Sequence, residues 1–395
     1  MTEMRFDGER ILGGNQARER FYDARGYGRP HDGGIELAPV EVAHLLFRGD
    51  VETVRDARDS AGAQMLDFEA FLASAAVSEV DFFVYKELRD RGFYLSPVRD
   101  SPSNPARFVV YPRGKGPWDE VVAYRVGALS ERTTVAASTL FQFATDSDTH
   151  SDSTDDTGNT GATSDTGDTD DTGDTADTDD TGDAVDTDNT DETALLAVVD
   201  EESEVTYLEL DRPAVTGSTH HDISSAKGVL LSDRVLVPNP PTALYDRAFY
   251  GQRLDRDDEA LQLSLVEAAY LSSEDLLTLD SADDGEHRII ARGREVEGDR
   301  FNRRLHVYGS LRDAGIVPKT GFKFGADFRT YAAVESVDNL GHSEFLVRVL
   351  PPEHSFVPRD LSLDVRLAHG VRKRMLFAFA DEERIDWLSV QRVTP

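Results

Sequence analysis

The C-terminal part of the sequence contains a tyrosine, a histidine and a lysine with complementary chemistry: Tyr331, His342 and Lys373. Histidine titrates near neutral pH and can deliver a proton. Lysine is a compact cation that can stabilise developing negative charge. Tyrosine, whose pKa is about 10, becomes an effective base only where nearby cations lower that pKa. These groups suit metal-free cleavage of an RNA backbone, in which a ribose 2′-hydroxyl attacks the neighbouring phosphate and the 5′-oxygen leaves.

Each of these residues also has a purely structural interpretation. Tyr331 could be a half-buried strand tyrosine, His342 a surface histidine in a Gly-His-Ser turn, and Lys373 part of a solvated Arg-Lys-Arg run. His369 is a rival to His342 for the acid role, although its helical neighbours favour packing. The combination, rather than any single residue, therefore predicts a site.

The elements that would position these residues occur twice in the chain. The motif VYKELRDRG at residues 84–92 recurs as VYGSLRDAG at 307–315, which is 223 positions later. Two further blocks occur in the same order, at 22–28 and 40–45 in the first copy and at 245–251 and 266–271 in the second. The chain is therefore a tandem duplication, whose copies we call repeat 1 and repeat 2.

The two repeats differ where chemistry is expected. Repeat 1 retains Tyr111 at the position that matches Tyr331. It has no histidine near Trp118 and no lysine near Thr193, where His342 and Lys373 should align. Repeat 2 is thus predicted to be the competent copy and repeat 1 a scaffold.

The pattern predicts an α/β (α+β) fold in which each repeat has an N-terminal helix-rich subdomain followed by a mixed α/β subdomain. The predicted boundaries are 1–75 and 76–211 in repeat 1, a polar linker at 212–227, and 228–300 and 301–395 in repeat 2. Predicted helices cover 40–47, 81–91, 265–271 and 303–314; predicted strands cover 10–12, 108–111, 121–126, 234–237, 328–334 and 344–349; and each repeat closes with a hairpin ending in 205–210 or 385–390.

An acidic segment at residues 146–192 interrupts repeat 1 before its closing hairpin. It contains about 18 of the 75 acids of the chain, no lysine or arginine, and hardly any large apolar residue. Because it cannot bury enough apolar surface to offset chain entropy, we expect it to be disordered. A calcium-binding repeat is the alternative, although the glycine spacing of a coordinating loop is not maintained.

The net charge of −33, taken alone, counts against a nucleic-acid partner. The insert accounts for much of that charge and leaves roughly −15 on the rest of the chain. The remaining acids are dispersed, and arginine outnumbers lysine. That composition is typical of a protein that works in high salt, so we expect salt adaptation.

Several classes of protein are excluded or disfavoured by composition. The chain has no cysteine, which excludes disulfides, thiolate zinc sites and cysteine nucleophiles. No apolar run approaches the roughly 20 residues needed to span a bilayer, and the N-terminal residues lack the apolar core of a signal peptide. We therefore expect a soluble cytoplasmic protein with no membrane partner.

Residues 305–373 resemble the catalytic domain of tRNA-splicing endonucleases. The resemblance depends on four stretches in order: Tyr308-x-x-Leu311-Arg312, KTGFKFG at 319–325 leading to Tyr331, His342-Ser343, and AHGVRK at 368–373. The tandem arrangement resembles the homodimeric archaeal form, in which each chain carries a degenerate copy and an active copy. Outside the acidic insert, the resemblance covers nearly the whole chain and implies a nuclease-like catalytic subdomain.

The resemblance implies a role for each site residue. Tyr331 would be the general base, His342 the general acid and Lys373 the transition-state stabiliser, with no cofactor and no metal. The substrate would be the bulge-helix-bulge of precursor tRNA, cut to give 2′,3′-cyclic phosphate and 5′-hydroxyl ends. Arg366 and Arg392 would be the two arginines that sandwich a bulge base, since RNA bulges expose their base faces.

The resemblance also implies a homodimer with two active sites, one for each bulge. An acidic loop of the degenerate copy would dock against the catalytic domain of the partner chain. Asp200, Glu201, Glu202 and Glu204 match that loop.

Two other functions compete with this interpretation. A metal-dependent nuclease needs an aspartate followed by an acid-x-Lys pair, and Asp360 and Asp364 are not followed by such a pair. A non-catalytic RNA-binding or assembly subunit is the second alternative. It would be favoured in a chain that lacked His342 and Lys373.

Overall fold

The computed structural model describes residues 4–58, 64–99, 105–119, 121–148, 192–255, 259–279 and 284–395. The predicted disordered insert lies outside these ranges, apart from the end of one helix and Glu192. The mixed α/β architecture and the tandem duplication are both confirmed. No helix within the described ranges is long and apolar enough to cross a membrane.

The N-terminal unit of repeat 1 is a small sheet covered by helices. Its elements are β1 (Met4–Phe6), β2 (Ile11–Gly13), α1 (Asn15–Ala17), a π-helical turn (Arg18–Asp23), β3 (Arg29–His31), β4 (Gly34–Leu37), α2 (Pro39–Phe47), β5 (Val54–Asp56), β6 (Met65–Leu66) and α3 (Phe68–Ala73). The strand order in the sheet is β3-β4-β2-β1-β5-β6, with β1 and β5 parallel and the other pairs antiparallel.

The second unit of repeat 1 places one long helix against a mixed sheet. Helix α4 begins after Ser78 and buries Phe82, Tyr85 and Leu88 at helical spacing. The elements are α4 (Glu79–Asp90), β7 (Leu95–Pro97), β8 (Ala106–Val110), β9 (Tyr124–Ser130), β10 (Val135–Ala136), α5 (Ala137–Asp148), β11 (Thr193–Val199) and β12 (Val205–Asp211).

Repeat 2 has the same arrangement. Its N-terminal unit contains β13 (Ala226–Leu230), β14 (Arg234–Val237), α6 (Thr242–Asp246), β15 (Gln252–Arg253), β16 (Leu261–Ser264), α7 (Leu265–Ser273), β17 (Leu277–Leu279) and α8 (Gly285–Glu297). Its catalytic unit contains α9 (Arg300–Asp313), β18 (Val317–Thr320), a 3₁₀ turn (Phe322–Phe324), β19 (Phe328–Tyr331), a second 3₁₀ turn (Val337–Asn339), β20 (Phe345–Leu350), β21 (Ser355–Phe356), α10 (Pro358–Gly370), β22 (Arg374–Ala380) and β23 (Ile385–Val393).

One ten-stranded sheet joins the two repeats, in the order β18-β19-β20-β22-β23-β12-β11-β9-β8-β7. The junction is the antiparallel pair β12–β23, where Tyr207 lies opposite Val393 and Leu210 opposite Val390. A shared core covers one face of this sheet and includes Phe143 of α5 and Val365 of α10. Helices α4 and α9 lie in separate cores, one for each repeat. The last hairpin of each repeat thus forms the structural junction between them.

The linker packs against repeat 2. The amides of Gly217 and Thr219 donate to the carbonyls of Ala314 and Gly315, both at 2.8 Å. A side chain at Gly217 would place its Cβ 2.4 Å from the carbonyl oxygen of Gly315, so this close crossing requires glycine. Residues 226–227, predicted as linker, belong to β13.

The structure adds two features that the sequence pattern did not predict. Each N-terminal unit is built on a sheet of strands with two to five residues, of which the sequence pattern predicted only one in each repeat, at 10–12 and at 234–237. Residues 121–126 were predicted as a strand, whereas β9 runs from Tyr124 to Ser130. Its start coincides with Thr193, the first residue of its parallel partner β11, so pairing rather than local hydrophobicity determines where β9 begins.

Candidate active site

The topology of the sheet brings the three predicted catalytic residues to one edge. Strand β19 is antiparallel to β20, and β20 is parallel to β22. The C-terminal end of β19 therefore lies beside the N-terminal ends of β20 and β22. Hydrogen bonds connect this level, because the amide of Glu344 donates to the carbonyl of Thr330 and the amide of Arg374 to the carbonyl of Glu344. Each predicted catalytic residue lies within two positions of one of these bonded residues. Tyr331 follows Thr330, His342 precedes Glu344 by two positions, and Lys373 precedes Arg374.

A cleft of about 650 Å³ opens at this edge. Its walls carry four cationic side chains and two histidines against a single carboxylate. The lining residues are His342, Ser343, Glu344, Val365, His369, Arg372, Lys373, Arg374, Gln391 and Arg392. In a chain with 75 acids and 42 bases, such a local excess of positive charge favours an anionic ligand.

Lys373 lines the cleft and is held in place by a hydrogen bond to the backbone. Its Nζ donates to the carbonyl oxygen of Ser343 at 3.0 Å, which ties the start of β22 to the residue after His342. Partial burial, together with the charge of Arg329, lowers the pKa of Lys373. His342 is exposed in the loop that precedes β20. The lysine is thus fixed while the histidine is accessible to a ligand.

Tyr331 lies behind the cleft and is not one of its lining residues. Its side chain is only 6% exposed and packs with Val317 and Val334 in a small core. The ring of Phe249, from the N-terminal unit of repeat 2, contacts it edge-on with centroids 5.9 Å apart. Tyr331 is therefore buried more deeply than the half-buried strand tyrosine of the structural interpretation, and its position at the sheet edge places it next to the cleft.

A buried ion pair supports this aromatic contact. Lys319 Nζ donates to the carbonyls of Phe249 (3.1 Å) and Gly251 (2.7 Å) and to Glu267 Oε1 (3.1 Å). Burial alone would raise the pKa of Glu267, but the charge of Lys319 and backbone donors lower it to about 2. Lys319 thereby fixes the segment that carries Phe249 against Tyr331. Lys319 was not singled out in the sequence analysis. The signal that could have identified it is that the equivalent residue of repeat 1 is Ser96.

Two residues lie differently from what the sequence predicted. His369 was expected to pack, but it is exposed and lines the cleft one helical turn after Val365. Arg366 is exposed on α10 but is not among the lining residues, because it lies about 100° around the helix from Val365. Arg392, the other proposed bulge-clamping arginine, does line the cleft.

The predicted docking residues form the turn between β11 and β12. Three of them are exposed, namely Glu201, Glu202 and Glu204, whereas Asp200 is partly buried. The Asp200 carboxylate accepts bonds from the amides of Glu202 and Glu204, each at 2.9 Å, which fixes the shape of the loop. Glu201 pairs with Arg132 of the same chain. The loop is thus a preformed acidic knob at the tip of a hairpin.

Among the residues of repeat 1 that the structure describes, no equivalent site is found. The strand registers pair Tyr124 with Thr193 and Phe345 with Arg374, so Glu192 occupies the position of Lys373 and Val121 that of His342. Glu192 pairs with Arg125 at 2.7 Å. The hydroxyl of Tyr111 donates to Ser96 at 3.0 Å. An acid and an apolar residue thus replace the lysine and the histidine.

Comparison with known proteins agrees with this division. The family described as tRNA intron endonuclease, catalytic C-terminal domain, matches residues 301–387, which lie in repeat 2. The family described as tRNA intron endonuclease, N-terminal domain, matches twice, at residues 2–66 and 226–288. The double match independently identifies the two N-terminal units of the duplication.

Similar proteins from halophilic archaea match the chain along its length. A tRNA-splicing endonuclease of Haloarcula marismortui is 51% identical over 100% of both chains. One from Natronomonas pharaonis is 49% identical over 97% of this chain and 96% of its own. One from Methanosarcina acetivorans is 34% identical over 98% of both. On this similarity in sequence and in tandem architecture, the chain belongs to the tRNA intron endonuclease family.

Proposed function

We propose that this chain removes introns from precursor tRNA by cutting both exon–intron junctions within a bulge-helix-bulge. The observation that carries the proposal is the cationic cleft at the edge of the sheet, with Lys373 and His342 among the residues that line it. The cleft occurs in the repeat that the catalytic-domain family matches. Cations and histidines around an open cleft are suited to an RNA phosphate that undergoes acid–base chemistry.

In the proposed reaction, Tyr331 accepts the proton of the ribose 2′-hydroxyl at the junction. The 2′-oxygen then forms a bond to phosphorus, and the bond from phosphorus to the 5′-oxygen breaks. His342 gives its proton to that leaving oxygen. Lys373 stabilises the additional negative charge on the phosphoryl oxygens during the transition. The products are a 2′,3′-cyclic phosphate and a 5′-hydroxyl, and neither a metal ion nor a cofactor takes part.

Recognition of the bulge is assigned to the arginines around the cleft. The planar guanidinium of Arg392 can stack on an extruded base as well as contact phosphate. Arg366 is the second candidate, on the outer side of α10. Because each chain contributes one such cleft and an intron has two junctions, we propose a homodimer. The Asp200–Glu204 loop would dock on the catalytic unit of the partner.

The competing functions receive less support. Of the two aspartates available to a metal-dependent nuclease, Asp364 is paired with Arg348, and neither Asp360 nor Asp364 lines the cleft. A non-catalytic RNA-binding subunit would have no need for a lysine held in place in a cleft beside an exposed histidine.

The test is cleavage of a short bulge-helix-bulge RNA in the presence of EDTA. We expect cutting at both junctions and a cyclic phosphate on each upstream fragment. An RNA with a 2′-deoxy group at one junction should be cut only at the other. Cleavage that depends on Mg²⁺, or that continues at the 2′-deoxy junction, would replace this mechanism with hydrolysis. Binding without any cutting would indicate the RNA-binding subunit.

A further inference from the structure

Arg329 is a cation beside the site with no role in the mechanism above. It precedes Tyr331 by two residues on β19, so both side chains point to the same face of the strand. Its guanidinium carbon lies 5.6 Å from the centroid of the Tyr331 ring. Its charge also contributes to the lowered pKa values of Lys373 and Lys319. Arg329 is thus electrostatically coupled to two groups of the catalytic unit.

Apart from this ring contact, the guanidinium of Arg329 has no hydrogen-bond or ion-pair partner within the described part of the chain. Its Nε is buried and donates no hydrogen bond to any described residue. Two other arginines of the same unit have carboxylate partners, Arg300 with Asp327 and Arg348 with Asp364. A half-buried guanidinium without a counter-charge is destabilising. An anionic ligand would supply the counter-charge that Arg329 lacks.

Repeat 1 shows that the fold does not require this cation. Matching Phe108 to Phe328 and Tyr111 to Tyr331 places Val109 at the position of Arg329. Valine suits a half-buried strand position better than an unpaired arginine does. The arginine therefore accompanies His342 and Lys373, and is absent where they are absent.

We propose that Arg329 is a substrate-binding residue that contacts a phosphate of the RNA strand beside Tyr331. The proposal rests on the function proposed above and adds a specific anion contact to it. A guanidinium can donate two parallel hydrogen bonds to phosphate oxygens, which would satisfy the orphaned donor and orient the strand toward the tyrosine. The contact is to the backbone, so it applies to any sequence at the junction.

The salt dependence of RNA binding measures this contact directly. Each phosphate neutralised by a cation adds about 0.7 to the slope of log affinity against log salt for a single-stranded segment. We would measure binding of the bulge-helix-bulge RNA to the His342→Ala protein, which should bind the RNA without cutting it. The salt concentration would be varied only within the range over which the circular dichroism spectrum of the protein is constant, so that the protein remains folded throughout. Adding Arg329→Met should weaken binding several-fold and reduce the slope by about 0.7, and Arg329→Lys should keep the slope.

Arg303→Met is the matched control, because Arg303 on α9 also has a buried Nε that donates no hydrogen bond within the described ranges. Unlike Arg329, Arg303 neither contacts the Tyr331 ring nor contributes to the lowered pKa of Lys373. With Arg303→Met added, the slope of log affinity against log salt should equal that of the His342→Ala parent. If Arg329→Met leaves the slope of the parent unchanged, or if Arg303→Met reduces it equally, the assignment of Arg329 is overturned. If the Met variant does not fold, Arg329→Gln allows the same comparison. A parent that binds no RNA would instead refute the proposed function itself.

Discussion

Repeat 1 and repeat 2 share a buried polar frame, although only repeat 2 carries the candidate site. In repeat 1, Arg89 stacks 3.7 Å over the ring of Tyr27 and donates to the carbonyl of Arg25 at 2.9 Å. In repeat 2, Arg312 stacks 3.7 Å over Tyr250 and donates to the carbonyl of Ala248 at 2.9 Å. This arginine–tyrosine contact is retained in repeat 1, which lacks the candidate site. Its role is therefore to join the N-terminal unit of each repeat to the unit that follows.

The two repeats differ in the groups that surround a buried glutamate of the N-terminal unit. Glu41 and Glu267 each accept from a glycine amide, that of Gly28 (2.6 Å) or Gly251 (2.9 Å). Burial raises the pKa of Glu41, whereas Lys319 helps to lower that of Glu267 to about 2. Ser96 occupies the position of Lys319 in repeat 1. The cation beside Glu41 is instead Arg99, whose Nη2 lies 3.4 Å from the carboxylate. The catalytic repeat therefore pairs its buried glutamate with a buried lysine, and the scaffold repeat pairs its own with a partly exposed arginine.

Among the residues that line the cleft, the largest effect should follow from removing the Lys373 cation. Lys373→Ala should lower kcat by about 10²–10³ with little change in RNA affinity, because the lysine acts on charge that develops in the transition state. Single-turnover cleavage measures this. Glu192→Gln changes the equivalent position of repeat 1 and should leave the rate within a factor of two or so. A large loss from Glu192→Gln would mean that both repeats contribute to catalysis.

The buried ion pair should dominate the difference in stability between the repeats. Lys319→Met leaves Glu267 buried without its cation, and we expect a loss of about 3–5 kcal/mol in the free energy of unfolding. Ser96→Ala, the matched change, should cost about 0.5–1.5 kcal/mol through the bond to Tyr111. Denaturant titration distinguishes the two values. Partial recovery in the double variant Lys319→Met/Glu267→Gln is expected, and its absence would point to lost packing rather than unpaired charge.

Acid should destabilise repeat 1 before repeat 2. His44, whose equivalent in repeat 2 is Tyr270, is fully buried, and burial with nearby cations lowers its pKa from 6.5 to about 4. Because the unfolded chain binds this proton first, stability should fall by up to about 3 kcal/mol as pH falls from 6.5 to 4. Glu267 has a lowered pKa, so its contribution is retained above about 4.5 and lost only as pH falls toward 2.

His44→Phe isolates that effect. Denaturant midpoints measured between pH 7 and 5 should fall with acid in the parent and be flatter in the variant. Equal pH dependence in both proteins would assign the acid sensitivity to groups other than His44.

The smallest effects are expected at the two outer arginines. Arg392→Lys keeps the charge but loses the planar group that stacks on a base, and should weaken binding of bulged RNA by about 1–3 kcal/mol. Arg366→Lys should have a similar effect only if Arg366 reaches the bulge from the outer side of α10. Binding to a fully paired RNA is the control, because it offers no extruded base.

The sequence predicted the duplicated elements well because they carry long periodic patterns. Helices α4 and α9, and the closing hairpins, were predicted within a few residues. In the N-terminal units, only the strands at 10–12 and 234–237 were predicted, and they correspond to β2 and β14. The other strands were missed, since two to five residues are too short for a clear alternation. The ion pair of Lys319 with Glu267 joins residues 52 positions apart, and the exposure of His369 depends on how α10 is rotated on the sheet. Such tertiary contacts have no local pattern.

The central claim is that the chemistry belongs to repeat 2 and that repeat 1 is its scaffold. The most direct test compares Tyr331→Phe with Tyr111→Phe, which remove one hydroxyl from equivalent strand ends. Both variants would be assayed for cleavage of the bulge-helix-bulge RNA at equal folded concentration. The account predicts that Tyr331→Phe lowers cleavage by about 10²–10⁴ while Tyr111→Phe cuts at the parental rate. Full activity in Tyr331→Phe, or loss of activity in Tyr111→Phe, would contradict it.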